Sequence, residues 1–258
     1  MKQTEYSAHL RYSDRAQNYR DFRPSYPIEL IDLIRQYGRL SQDSPVAELG
    51  SGTGIFTRML LGAGWMVHAV EPNAEMRVVC ARDLGHEPLL RCVAASAEAT
   101  TLPSASCRAI VAAQSFHWFD QAKAADEVLR VLAPDGIIAI IWNELDRSCD
   151  DLHTGLHALT LKCPDYSAHS LARFDTFESQ VASLFSELKV TSFALINYQR
   201  LNLQGLQGRM ASSSHWPAPS SALASEHYSE ISRLFAKQQD AGFVTLRYET
   251  KILMFARP

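Results

Sequence analysis

Between residues 45 and 143 short apolar runs recur at regular intervals, separated by stretches with helical spacing. The runs are Val46–Leu49, Met66–Val70, Leu89–Val93, Ala109–Ala113 and Ile137–Trp142, and their length and flanks predict strands. Helix punctuation lies between them: Ile55–Leu61 halts at Gly62 and Gly64, a second segment opens on Asn73 as N-cap, and Gln121–Leu132 follows Asp120 and stops at Pro134. Alternating strand and helix predicts βαβ units and a mostly parallel sheet.

The flanks differ. Tyr12–Tyr26 is polar and aromatic with no obvious core face, whereas Ile28, Ile31 and Ile34 with Leu30, Leu33 and Tyr37 mark an amphipathic helix ending at Gly38. Beyond Asn143, Asp150–Cys163, Phe174–Leu188 and Tyr228–Gln239 look helical, while Val190–Tyr198 and Val244–Phe255 look extended. Two late strands joined through helical material predict an antiparallel addition at the sheet edge, with helices over the strand ends as a lid. The Ser-rich stretches Ser212–Ser214 and Ser220–Ser225 fit loops or helix ends. The expected organisation is a covering segment and first helix over 1–40, a ligand-binding core over 41–145, and lid helices with the last two strands over 146–258.

Composition narrows the function. A chain of 258 residues, 47% hydrophobic, can bury a sizeable core. Its 25 basic against 28 acidic side chains give a net charge of -3, so no excess positive field exists to gather a polyanion, and nucleic acid is not an expected partner. Cys80, Cys92, Cys107, Cys149 and Cys163 form no C-x-x-C pair and are read as reduced thiols, with no metal expected. The first residues lack the apolar core of a signal peptide, and Ile137–Trp142 is too short to cross a bilayer, so the expectation is a cytoplasmic protein without a membrane partner.

The sharpest chemical signal is Glu48-Leu49-Gly50-Ser51-Gly52-Thr53-Gly54, a strand running through alternating glycines into a helix. Such a turn lets a ligand lie against bare backbone at the carboxyl end of the first strand. A nicotinamide dinucleotide fits poorly, because its fingerprint needs a small residue where Ile55 stands. Charge points the same way: Glu48 would repel a pyrophosphate and welcome an ammonium. Glu71 closes the second strand, and Pro72 after it should stop the ladder and expose the carboxylate for a ribose diol. Met76, one turn on, is a candidate for an adenine face.

In order along the chain, the glycine loop, Glu71-Pro72, Ser96-Ala97-Glu98 before Leu102-Pro103, and Glu127-Val128-Leu129-Arg130-Val131-Leu132-Ala133-Pro134-Asp135-Gly136 resemble the class I S-adenosylmethionine-dependent methyltransferases, type 11 small-molecule group. Tyr19-Arg20-Asp21-Phe22-Arg23-Pro24-Ser25-Tyr26-Pro27 and Ser115-Phe116-His117-Trp118-Phe119-Asp120 look like the branch containing trans-aconitate methyltransferases. The resemblance implies a Rossmann-like α/β fold with a seven-stranded, mostly parallel sheet, a C-terminal antiparallel strand and a helical lid insertion. It also implies S-adenosyl-L-methionine as cofactor, S-adenosyl-L-homocysteine as product, and a small-molecule methyl acceptor. The sequence departs from the common pattern at Glu48, where Asp is frequent, and at Ser96, where an Asp often meets the adenine amino group; the Ala97 backbone and Glu98 are the substitutes.

Methyl transfer needs alignment and exclusion of water more than acid–base machinery. Gln114, Ser115 and His117, at the end of the fourth strand, would face the methyl group, with His117 a candidate base or pocket wall and His215 a second base candidate. Tyr19 and Arg23 are expected to close over the cofactor, Arg23 on its carboxylate. Tyr26, Trp118, Trp142, Asn143 and Trp216 are candidate acceptor-wall residues. Oxygen is the expected acceptor atom; carboxylate esterification would need a cationic pocket, from Arg173 or Arg209. A catalytically silent binding module and transfer to nitrogen or carbon are the alternatives.

Overall fold

A computed structural model of the protein describes residues 16–164, 166 and 174–257. Seven strands, β1 (Pro45–Leu49), β2 (Met66–Val70), β3 (Leu90–Val93), β4 (Cys107–Ala113), β5 (Leu132–Leu145), β6 (Lys189–Leu201) and β7 (Val244–Ala256), form one sheet in the order β3-β2-β1-β4-β5-β7-β6. Strands β1 to β5 pair in parallel, and β7 runs antiparallel to both β5 and β6. The strand order reverses direction between β1 and β4, which opens a crevice at their carboxyl ends.

The described helices are α1 (Ala16–Phe22), α2 (Glu29–Gly38), α3 (Ile55–Gly62), α4 (Ala74–Leu84), α5 (Gln121–Val131), α6 (Asp151–Leu161), α7 (Phe174–Leu184), α8 (Leu203–Ala211) and α9 (Ala222–Gln238). Their starts follow from local chemistry. Asn73 accepts from the Met76 amide at 2.9 Å and Asn202 from the Gly205 amide at 2.8 Å, while Asp120, Asp150 and Ser221 cap α5, α6 and α9 in the same way. Leu30, Ile34, Leu60, Trp65 and Ile137 fill one face of the sheet, and Phe116, Val128, Ile138, Phe185 and Phe255 fill the other. A third cluster, with Leu156, Leu206, Ile231 and Tyr248, packs α6, α8 and α9 over the late strands. Among the described residues no helix is long and apolar enough to cross a membrane.

The expected sheet and antiparallel strand are present, but three details differ. Strand β5 begins at Leu132, which pairs with Cys107 ahead of Pro134, and the register with β4 shifts before Ala109 meets Ile137. Helices α1 and α8 were not expected from the apolar pattern. Both are short: α1 buries only Ala16, and α8 carries two glycines in nine residues. Neither has an amphipathic stripe long enough to stand out; they form by packing on one another and on neighbours.

That packing ties α1 over the strand ends. The Phe22 ring lies so close to Gly208 that a methyl group there would sit 2.4 Å from it. Side-chain amides of the sheet hold the segment that follows: Gln199 Nε2 donates to the Phe22 carbonyl at 2.9 Å, and Asn143 and Asn197 both donate to the Ser25 carbonyl, at 2.9 and 2.6 Å. Arg23 Nη2 donates to the Ser212 carbonyl beyond α8 at 3.0 Å. Residues 16–26 are thus a cover fixed to the lid and the sheet. Gly208→Ala forces the Phe22 ring aside, at an overpacking cost of about 1–3 kcal/mol that exceeds alanine's helix advantage. Faster amide exchange over Tyr19–Ser25, with exchange in β1 and β4 unchanged, is the expected outcome.

Candidate active site

The glycine loop is held at both ends. Gly50 and Ser51 donate their amides to the Val70 carbonyl at 2.8 and 3.1 Å, and Ser115 Oγ donates to the Leu49 carbonyl at 2.6 Å. The three glycines have φ of +67° at Gly50, +56° at Gly52 and +86° at Gly54, but they serve different ends. A Cβ on Gly50 would strike Ser115 and one on Gly54 would strike Cys80 and Leu84, so these two permit close packing within the protein. A Cβ on Gly52 meets nothing within 4 Å. That glycine faces open space, as bare backbone meant for a ligand does.

Two carboxyls flank the loop. Glu71 accepts from the Gly52 amide at 2.9 Å on one oxygen and from the Asn73 amide at 2.8 Å on the other. Pro72 does not expose this side chain as expected; Glu71 is 8% accessible because the loop folds onto it. Each oxygen keeps lone-pair capacity for a hydroxyl in the adjoining hollow. Glu48 is buried deeper, at 2%, and Thr57 Oγ1 donates to it at 2.5 Å. Burial pushes its carboxyl up to about 8, against the opposing Thr57 hydrogen bond, and the nearby Glu71 adds to the rise.

The crevice consists of two adjoining hollows that share Tyr19, Gly50, Gly52 and Gln114. Glu71, Pro72, Met76, Ser115 and Trp118 line one. Arg23, Tyr26, Glu48, Ser51, Asn143 and Arg209 line the other. Gln114 stands at the junction with φ of +57°, a costly conformation for a residue with a side chain, and its Nε2 donates to the Asn143 carbonyl at 2.7 Å. Arg209 is 7% accessible, and burial lowers its pKa from the ordinary value; a guanidinium nevertheless stays charged near neutrality. Arg23 lies with its guanidinium carbon 4.9 Å from the Tyr19 ring centroid, and its buried Nε has no hydrogen-bond partner within the protein.

His117, expected to face the methyl group, lines neither hollow; it is exposed, with its ring centroid 5.0 Å from that of Trp118. Desolvation, with Arg23 adding repulsion, lowers its pKa to about 4. The imidazole is neutral at physiological pH, a weaker base than an unperturbed histidine.

Other candidate residues lie elsewhere. Ser96 pairs with Ala99 in a short bridge, Ala97 is buried in the core, and Glu98 accepts from the Asp120 amide at 2.9 Å; none lines either hollow. Trp142 and Asn143 are consecutive on β5 and point to opposite faces, so only one can reach the crevice. Asn143 does, while Trp142 packs edge-on against Phe177 with centroids 4.8 Å apart. Trp216 packs on His227 and Tyr228 of α9, and His215 lies against Tyr166, centroids 4.9 Å apart. Arg173 lies outside the described residues. Pro24, Ile55, Phe56, Asn73, Ala113 and Phe119 also line the walls without having been expected as site residues; all but Phe56 adjoin a residue that was.

Residues 47–140, spanning β1 through most of β5, match the family described as methyltransferase domain. Residues 47–140 are thus a methyltransferase domain of the class I, S-adenosylmethionine-dependent kind. A methyltransferase-like protein of Schizosaccharomyces pombe, itself uncharacterized, is 36% identical over 130 residues, 50% of this chain and 50% of that one. The chain spans about half the length of the curated relatives it matches. A structure from Anaeromyxobacter dehalogenans with a provisional type II methyltransferase name is 22% identical, covers 92% of this chain and 97% of its own, and superposes with a TM-score of 0.66. A Haemonchus contortus phosphoethanolamine N-methyltransferase bound to S-adenosyl-L-methionine is 14% identical, with a TM-score of 0.54 over 99% of this chain and 58% of its own. These two likenesses establish the fold. The narrower trans-aconitate branch rests on the sequence resemblance alone.

Two outcomes test the geometry of this crevice. Glu48 holds a proton in the folded, ligand-free protein that it loses on unfolding, because its pKa rises from 4.5 to about 8. Its burial therefore costs nothing below pH 4.5 and progressively more as pH rises toward about 8. Glu48→Gln keeps an acceptor for Thr57 and removes that penalty, so the melting-temperature gain of the variant over wild type should grow between pH 5 and pH 9; a constant difference contradicts the assignment. Gly52→Ala places a methyl group in the open space and strains the loop by about 1–2 kcal/mol. It should weaken S-adenosylhomocysteine binding by more than tenfold in calorimetry while the fold, by circular dichroism, persists.

Proposed function

We propose that the protein transfers the methyl group of S-adenosyl-L-methionine to an oxygen of a small anionic acceptor, most simply a carboxylate. What carries this reading is the division of charge along the crevice. Glu48, a buried carboxyl that accepts a hydrogen bond from the Thr57 hydroxyl, faces the same hollow as two arginines, Arg23 and Arg209.

The residues present fit the cofactor. Glu71 suits a ribose diol, Pro72 and Met76 an adenine face, the open backbone at Gly52 close approach, and Glu48 an ammonium that would favour its charged form. Arg23, a cover residue whose Nε has no hydrogen-bond partner within the described protein, suits the carboxylate. When bound, this cofactor supplies a methyl group already activated on a sulfonium, so the protein's work is to orient an acceptor and exclude water. Tyr19, Arg23 and Tyr26 of the cover close the crevice from one side, and Gln114 is fixed at the junction of the two hollows by its bond to Asn143.

A zwitterionic amino acid brings one carboxylate, but the hollow holds two guanidinium groups. Arg209 is then left for a second anion, belonging to the acceptor. A carboxylate acceptor also suits the absence of a strong base from the hollows: it arrives deprotonated at neutral pH, and the nearby His117 imidazole, its pKa lowered to about 4, is not needed to take a proton. Trp118 lines the cofactor hollow, while Trp142 and Trp216 have no part in this arrangement.

Calorimetry with S-adenosylmethionine and S-adenosylhomocysteine, followed by a labelled-methyl assay over di- and tricarboxylates, phenols and amines, tests both halves. Binding of both cofactor forms and label transfer confined to carboxylates is the expected result. Transfer only to amines or carbon acids removes the acceptor class, and absence of binding removes the whole reading. Within an active carboxylate assay, His117→Asn should lower kcat less than tenfold and leave the pH profile flat between pH 6 and 8, whereas a base role predicts a far larger loss.

A further inference from the structure

Arg209 is anchored from behind by a residue that lines neither hollow. Its Nε donates to the Tyr248 hydroxyl at 2.9 Å, and its Nη1 reaches Ser213 Oγ at 3.4 Å. Tyr248, on β7, is wholly buried, and its hydroxyl donates in turn to Gln199 Oε1 on β6 at 2.8 Å. Gln199 commits the other end of its amide to the Phe22 carbonyl in the cover, at 2.9 Å. One residue later, Arg23 returns to the lid through the Ser212 carbonyl. The result is a closed circuit from the crevice cation through a hydroxyl, a side-chain amide and the cover backbone to the end of the helix that carries the cation.

Nothing in the packing of this cluster requires that hydroxyl. Tyr248 sits among Leu156, Leu206, Ile231 and Leu246, where a phenylalanine would bury equally well. A buried phenol is tolerated because it both accepts and donates, and each bond adds a second restraint on a partner held elsewhere by one other hydrogen bond. Arginine is rotamer-rich, so an unanchored Arg209 would lose much side-chain freedom on meeting a ligand. An amide on an edge strand, likewise, could turn toward solvent.

We propose that Tyr248 is a positioning residue: its hydroxyl aims Arg209 at the acceptor end of the crevice and, through Gln199, couples that orientation to the closed position of the N-terminal cover. An anionic acceptor and closure of the cover then favour one another, and by linkage each strengthens the other equally. This rests on Arg209 being the counter-ion of the acceptor.

The test uses the full chain and a defined probe, tricarballylate, added to protein saturated with S-adenosylhomocysteine so that no turnover occurs. In wild type the probe should bind and should slow amide exchange over both Gly205–Ser212 and Tyr19–Ser25. Tyr248→Phe should bind S-adenosylhomocysteine within about twofold of wild type and the probe about tenfold more weakly, the scale of losing one hydrogen bond to a charged group, with no exchange response in the cover. Gln199→Met should retain more of the probe affinity yet lose the cover response. Equal probe affinity in Tyr248→Phe, or parallel loss of both ligands, overturns the proposal and leaves a structural tyrosine. Should that variant fail to fold, a wild-type cover response in Gln199→Met overturns it instead. Wild-type protein that binds S-adenosylhomocysteine but not tricarballylate sinks this inference together with the acceptor class, while failure to bind S-adenosylhomocysteine sinks the cofactor reading as well.

Discussion

Glu48 is the constraint from which the site is built. A carboxyl at 2% accessibility, with Thr57 as its hydrogen-bond donor and Glu71 nearby, is held in the less charged state it would not choose in water. The surrounding parallel strands favour that burial: β1 lies between β2 and β4, with the crevice at its carboxyl end. The glycine loop roofs one side, and Glu71, fastened to the loop by the Gly52 amide, walls another. A ligand bearing a positive charge relieves this arrangement; one bearing a pyrophosphate aggravates it. On the proposed reading, the same sheet order that serves dinucleotides elsewhere is turned toward a cationic nucleoside by Glu48 and Glu71.

The cover depends on the opposite end of the sheet. Asn143 on β5, and Asn197 and Gln199 on β6, place amides where carbonyls of residues 22 and 25 can accept, so the late strands do more than extend the sheet. Their antiparallel partner β7 supplies Thr250, which donates to Asn143 Oδ1, and Tyr248, which holds Arg209. Each cover bond is modest alone. Together they join a short helix with a single buried residue to a rigid scaffold, and such a contact can open and close without disturbing the core.

How much of this was legible in the sequence follows from what each element depends on. Strands β1 to β5 and helices α3 to α5 announce themselves because their apolar runs and caps are local, and Asn73 and Asp120 cap where their positions predict. Helices α1 and α8 were illegible because they are stabilised by contacts nearly two hundred residues apart, Phe22 on Gly208 being the clearest. In the site, residues attached to a strand end, such as Glu48, Gln114 and Asn143, were legible from topology alone. Aromatic residues were not: Trp142 and Trp216 have the right chemistry for a pocket wall, but side-chain alternation along β5 turns one into the core and the lid cluster absorbs the other. Arg209 was visible only as an isolated cation until the helix bearing it was known.

A fold of this kind hosts many chemistries, so activity has to be argued from charge and geometry at the crevice. The decisive asymmetry is that acids gather on the side of the glycine loop and guanidinium groups on the side of the cover. Arg23 and Arg209 repel each other, and the buried one resists charging most strongly because of its desolvation. Two like charges at that depth are stable only if the protein fixes them by other means, which the Ser212 carbonyl and the Tyr248 hydroxyl do, or if anions arrive to share them. A single amino-acid carboxylate cannot neutralise both. On the function proposed above, the surplus cation is the feature that points beyond cofactor binding, toward the acceptor.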